Sequence, residues 1–121
     1  MSQPGGPARP ARESSAPAST VRHVLLARLR EGASDELFLT VATAFRELAS
    51  KIEGIIGVEY GTNNSPEGQS RGLTHIITLT FTSIEARDAY LPHPAHLQLA
   101  GWVGQMDLIE ELLVFDYTPQ G

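Results

Sequence analysis

The chain is predicted to take an α+β fold in the order β-α-β-β-α-β, and three observations predict it. A period-two alternation over residues 22–30 gives way to a helical spacing of large apolar residues over 37–52. A run rich in Ile, Thr and Phe over 73–81 is strongly β-prone. Pro92 and Pro94 then divide a helical region from what precedes a last apolar strand.

Each element has its own local cause. Alternation over 22–30 puts His23, Leu25, Ala27 and Leu29 on one face of the first strand and Val24, Leu26 and Arg28 on the other. Ser34 is a helix cap with Asp35 and Glu36 in the first turn, where the helix dipole favours acids. Leu37, Val41, Phe45, Leu48 and Ile52 then form one apolar stripe, which Gly54 ends. A second strand is expected over 55–61, a Gly/Asn/Ser/Pro-rich connection over 62–71, and a third strand over 73–81 with His75, Ile77, Leu79 and Phe81 on one face. A short helix over 83–89, a proline turn, a helix from Pro94 to about Asp107 and a strand over 109–117 complete the order. In the turn, each proline pushes the residue before it toward extended backbone, so Leu91 and His93 are expected outside helix, with Pro94 at the first helical position.

This is the ferredoxin-like arrangement: a four-stranded antiparallel sheet with strands one and three at its centre and helices on one face. The other face should be polar in a monomer. Val24, Leu26 and the apolar residues on both faces of 112–115 instead predict that it is covered, most simply by a second copy packed sheet to sheet.

Composition narrows the function classes. With 121 residues there is room for one core, over residues 21–119, preceded by a Pro/Ala/Ser-rich tail over 1–20 that is expected to be disordered. No stretch approaches the ~18 apolar residues of a membrane span. No secretory h-region is visible, so a cytoplasmic location is expected. A formal charge of −5, with no basic run or phosphate loop, argues against nucleic acid. The absence of cysteine excludes thiolate chemistry and Cys-based metal sites, and neither a metal nor a cofactor is expected.

Residues Tyr90 to His96 concentrate a phenol, two imidazoles and two prolines in seven positions. His96 falls in the first turn of its helix, where the positive dipole end favours the neutral imidazole that a general base requires. With strands one and three paired, His23 and His75 share the helix-facing side, and His96 joins them in an apolar space beside Gly101 and Gly104. Tyr90, expected at the rim, is a hydrogen-bond donor for a carbonyl oxygen as enolate charge develops. These parts suit aldol-type bond formation. The structural alternatives are satisfied core histidines at 23 and 75, and a capping role for His93 between its prolines. A metal site from His75, His93 and His96 lacks a carboxylate. Asp88, Glu110 and Glu111 read as surface charges, and Asp116 as a strand-end residue.

Four ordered segments carry a resemblance: Arg22-His23-Val24, Gly72-Leu73-Thr74-His75-Ile76, Tyr90 through His96, and Leu113-Val114-Phe115-Asp116-Tyr117-Thr118-Pro119. Over residues 21–119 the chain resembles the stress-responsive α/β barrel (Dabb) family, and within it a plant polyketide cyclase. The resemblance implies a homodimeric α+β barrel and a cofactor-independent aldol cyclisation of a linear poly-β-ketone, with a polyketide synthase as a further candidate partner. It implies His96 as general base, Tyr90 as the group that holds and polarises substrate, and His23 and His75 as pocket lining. Phe45 stands where the cyclase has a tyrosine, so the substrate-binding wall differs there. Other members of the family resemble stress-associated proteins, and a non-catalytic or small-ligand-binding dimer is the alternative.

Overall fold

The computed structural model describes residues 19–121, so the tail expected over 1–20 lies outside the described residues except for Ser19 and Thr20. The elements follow the order β1 (Val21–Leu29), α1 (Asp35–Glu47), β2 (Ile55–Thr62), β3 (His75–Phe81), α2 (Ile84–Tyr90), α3 (Pro94–Met106) and β4 (Ile109–Tyr117). All strand pairs are antiparallel and the sheet order is β2-β3-β1-β4. The ferredoxin-like topology and the central place of the first and third strands are therefore as the sequence predicts.

Local chemistry fixes the helix ends. Ser34 accepts a hydrogen bond from Leu37 N and Ser83 one from Ala86 N, while His93 Nδ1 accepts from Ala95 N with Pro94 opening α3. The apolar stripe of α1 outruns the α-helix. After Glu47 the chain tightens into a 3-10 turn, Leu48–Ser50, which still buries Leu48 and delivers Ile52 to the core. Gly54 then turns with φ +98°, and a Cβ there would lie 2.7 Å from the Cβ of Ala86, so both backbone and space require glycine.

Two local expectations fail for identifiable reasons. Leu91 precedes Pro92 yet is right-handed helical, φ −58°, ψ −44°, because its N–H still donates to Arg87 O and His93 N donates to Tyr90 O across the turn. Those bonds outweigh the pre-proline bias. The third strand starts at His75 rather than at residue 73, because Arg71 and Gly72 both take positive φ and hold Leu73 in a turn on Ser70 O.

The core lies between the helices and one sheet face. Phe38, Val41, Ala42 and Phe45 of α1 meet Ile77, Leu79 and Phe81 of β3. The opposite face carries a continuous apolar band, because Leu113, Leu26 and Ile76 are cross-strand partners and Phe115 pairs with Val24. Leu113 is 47% and Phe115 66% exposed. β4 is an edge strand that the helices leave partly uncovered even on their own side, where Leu112 and Val114 remain exposed. That gap opens the site described next. No described helix is long and apolar enough to cross a membrane.

Candidate active site

Between β1, β4 and α3 lies a cavity of about 580 Å³ whose walls include His23, Phe45, Tyr90 and His96. Alternation brings His23 in from β1, the α1 stripe brings Phe45, the end of α2 brings Tyr90 and the first turn of α3 brings His96. The rest of the wall is mainly aliphatic, with Leu25, Val103 and Val114 among its residues. Gly104 also lines it, and a Cβ added there would meet nothing within 4 Å.

The Tyr90 ring is in contact with both imidazoles. Tyr90 stacks on His96 with centroids 4.1 Å apart at 29°, and meets His23 edge-on at 5.8 Å. Phe81 supports both from below, 5.0 Å from Tyr90 and 6.3 Å from His23. Tyr90 was expected at the rim and is instead fully buried, because α2 extends one residue further than expected and turns the phenol inward. Among the described residues its Oη is the one fully buried side-chain polar atom without a hydrogen-bond partner. Burial pushes the phenol pKa up, so the hydroxyl stays protonated and can donate.

Hydrogen-bond partners define which imidazole nitrogens carry protons. Leu91 O, 2.9 Å from His96 Nδ1, can only accept, so Nδ1–H donates and Nε2 is left with its lone pair. In the same way His23 Nδ1 donates to Asp116 Oδ1 at 2.8 Å. His75 differs. Its Nε2 donates to Asp35 Oδ1 at 3.0 Å and its Nδ1 accepts from the Thr74 hydroxyl at 2.7 Å, which leaves no nitrogen free. It lies in an adjoining apolar cleft of about 80 Å³ that shares Leu25, Phe45 and Val103 with the main cavity. The fold thus brings His23, Tyr90, His96 and Phe45 to one cavity and sets His75 apart, while His93 is occupied as the cap of α3.

Two further residues, Asp116 and Arg87, belong to the site. Asp116 does lie near the end of β4, but it is bonded on both oxygens: Oδ1 accepts from His23 Nδ1, and Oδ2 accepts from Arg87 Nη1 at 2.6 Å. The signal was present in β4, where Leu112, Val114 and Asp116 alternate onto the helix-facing side and a carboxylate replaces the apolar residue that the pattern calls for. Arg87 had no sequence signal, because its partner is set by the packing of α2 against the sheet.

Replacing Tyr90 with phenylalanine deletes a donor that has no protein partner, so stability is expected to hold or to rise by up to about 1 kcal/mol. Urea denaturation checks this. A loss above that size would mean that the hydroxyl has a structural partner.

Fold and site together define a single-sheet α+β domain with a largely apolar cavity lined by two imidazoles and a phenol. The chain belongs to the stress responsive A/B barrel (Dabb) family, whose model matches residues 21–119. It is 37% identical over 100 residues to the stress-response A/B barrel domain-containing protein HS1 of Arabidopsis thaliana, covering 82% of this chain and 89% of that protein. It is 32% identical over 108 residues to olivetolic acid cyclase of Cannabis sativa, covering 83% of this chain and 97% of the cyclase. Among solved structures, a crystal structure from Arabidopsis thaliana superimposes with TM-score 0.77 at 35% identity, covering 84% of this chain and 96% of that one. A dimeric ferredoxin-like protein from Bacteroides fragilis superimposes with TM-score 0.60 at 25% identity, covering 83% and 96%. Hydroxynitrile lyase from Passiflora edulis shares the fold, with TM-score 0.75 at 21% identity over 85% of this chain and 95% of the lyase. The proteins to which this chain is similar in sequence thus include a cyclase as well as a stress-response protein.

Proposed function

We propose that this protein is a polyketide cyclase-like enzyme that closes a linear poly-β-ketone by a cofactor-independent intramolecular aldol reaction. The observation that carries the reading is the stacked Tyr90–His96 pair, a buried phenol with an unused proton beside an imidazole with an unused lone pair. The relationship to olivetolic acid cyclase supports it. His96 Nε2 removes a proton from a carbon between two carbonyls, while Tyr90 donates a hydrogen bond to the oxygen on which enolate charge collects. The carbanion attacks a distant ketone carbon of the same chain, and the new alkoxide takes the proton back from His96. The cyclic β-hydroxyketone is an isomer of the substrate, so the balance needs no redox partner or cofactor. Phe45 and the aliphatic wall suit the apolar part of the substrate, and His23 is a further hydrogen-bonding wall residue. Its linear substrate would be the released product of a polyketide synthase. The test is to supply such a poly-β-ketone and quantify cyclic product above the spontaneous rate; no excess over buffer would reject the reading.

A second reading, a non-catalytic stress-associated homodimer, is favoured by His75 and His93, whose ring contacts are structural, and by the kinship to HS1. A dimer is part of both readings, with the apolar band of Leu26, Ile76, Leu113 and Phe115 as its buried face. Phe115→Glu sets a charge in that band and is expected to convert dimer to monomer in sedimentation at micromolar protein. An unchanged sedimentation coefficient would move the interface elsewhere.

A further inference from the structure

We propose that Arg87 is a positioning residue for the cavity: acting through Asp116, it fixes the Nδ1-protonated tautomer of His23 and so keeps a bare Nε2 on the ring that lines the cavity with Tyr90 and His96. The inference rests on reading the cavity as a proton-transfer site.

The contacts form one line from solvent to cavity. Asp88 Oδ1 accepts from Arg87 Nε at 2.8 Å, Arg87 Nη1 donates to Asp116 Oδ2 at 2.6 Å, and Asp116 Oδ1 accepts from His23 Nδ1 at 2.8 Å. Hydrogen bonds to Asp88 and Asp116 raise the pKa of a guanidinium that is already permanently charged. The Arg87 and Asp116 side chains are 19% and 21% exposed, and His23 is 7%. This shielding separates the line from an ordinary surface ion pair.

The tautomer follows from the geometry. A carboxylate held by a fixed cation can only accept, so the imidazole nitrogen facing it must carry the proton, and the other nitrogen keeps its lone pair. Asp116 sits near the end of an edge strand, where a carboxylate without a second partner would be free to rotate toward water. Arg87 occupies the outer oxygen and directs the inner one at His23. It also lies one turn before Tyr90 on α2, so the same ion pair ties the helix that supplies the phenol to the strand that orients the imidazole.

Among the described residues, the other imidazole and the carboxylates of this cavity are engaged elsewhere. His96 and Asp107 of the α3 segment line it, the former donating to Leu91 O and the latter held by Arg30. Glu110 of β4 is also paired with Arg30. On β3, His23 is paired with Leu79 and its ring meets Phe81, both apolar.

The test reads tautomers directly, by long-range ¹H–¹⁵N correlation of the histidine rings at a pH where they are neutral. Wild-type His23 is expected to show Nδ1 protonated and Nε2 bare. Arg87→Leu, which keeps the apolar stem but not the charge, is expected to shift the His23 tautomer ratio by about ten-fold or more, the scale of one charge-assisted hydrogen bond. Arg87→Lys should restore most of the wild-type ratio, and His96, held by a backbone carbonyl, should not change. A wild-type His23 protonated at Nε2, or a leucine variant with the wild-type ratio, would overturn the proposal. The wild-type spectrum and the lysine variant remain decisive if the leucine variant does not fold. In the cyclisation assay the leucine variant should lose kcat with KM nearly unchanged. The tautomer result stands without any substrate, so a protein with the expected spectra and no cyclase activity would sink the catalytic reading and leave the positioning role of Arg87 intact.

Discussion

Replacing His96 with alanine is expected to lower enzymatic ring closure by roughly 10²- to 10⁴-fold, the range that a positioned general base supplies. The argument rests on what the ring does in the fold. Its Nδ1–H is spent on Leu91 O, its face on Tyr90, and its Nε2 has no partner among the described residues. Removing it exposes the Leu91 carbonyl to solvent at the cavity mouth, a cost of about 1 kcal/mol, so the variant should remain folded. Tyr90→Phe removes one donor to the developing oxyanion and should cost roughly 10²- to 10³-fold. Cyclic product is measured by chromatography against the spontaneous background, with circular dichroism to confirm folding. Equal rates for wild type and His96→Ala would remove His96 from the chemistry, and loss of folding with no loss-of-activity window would favour the structural reading of the ring.

Phe81→Ala should have the largest effect on stability, about 3–5 kcal/mol. Phe81 is fully buried at the end of β3, paired with Val21 of β1 and Ile55 of β2. Its ring also props both Tyr90 and His23. A cavity there is bounded by three paired strands that cannot collapse inward, which places the cost toward the upper end of the range. Against the roughly 5–15 kcal/mol of a whole domain, this brings the protein close to unfolding. Urea denaturation followed by Trp102 fluorescence and by circular dichroism checks it; a loss below about 1 kcal/mol would show that the neighbouring rings fill the space.

The elements that were legible in the sequence are those governed by short-range rules. Ser34 caps α1, His93 and Pro94 open α3, and alternation puts His23 and His75 on one face, all from chemistry within a few residues. Leu91 shows the limit of such rules, since two turn hydrogen bonds override its local preference. His75 shows another limit. Its face was readable, but Thr74 and Asp35 satisfy both ring nitrogens, and Asp35 comes from an element forty residues earlier.

By itself, then, the sequence determined the order of elements, the face each side chain takes and the segment that carries Tyr90 and His96, because periodicity and capping depend on neighbours in the chain. Only the tertiary structure decided which imidazoles keep a free nitrogen, that the Tyr90 hydroxyl is buried without a partner, and that Arg87 reaches His23 through Asp116. The physical reason is range: a tautomer or an unpaired proton is set by the one group within about 3 Å, the reach of a hydrogen bond. For His23 and for Nε2 of His75 that group came from a different strand or helix.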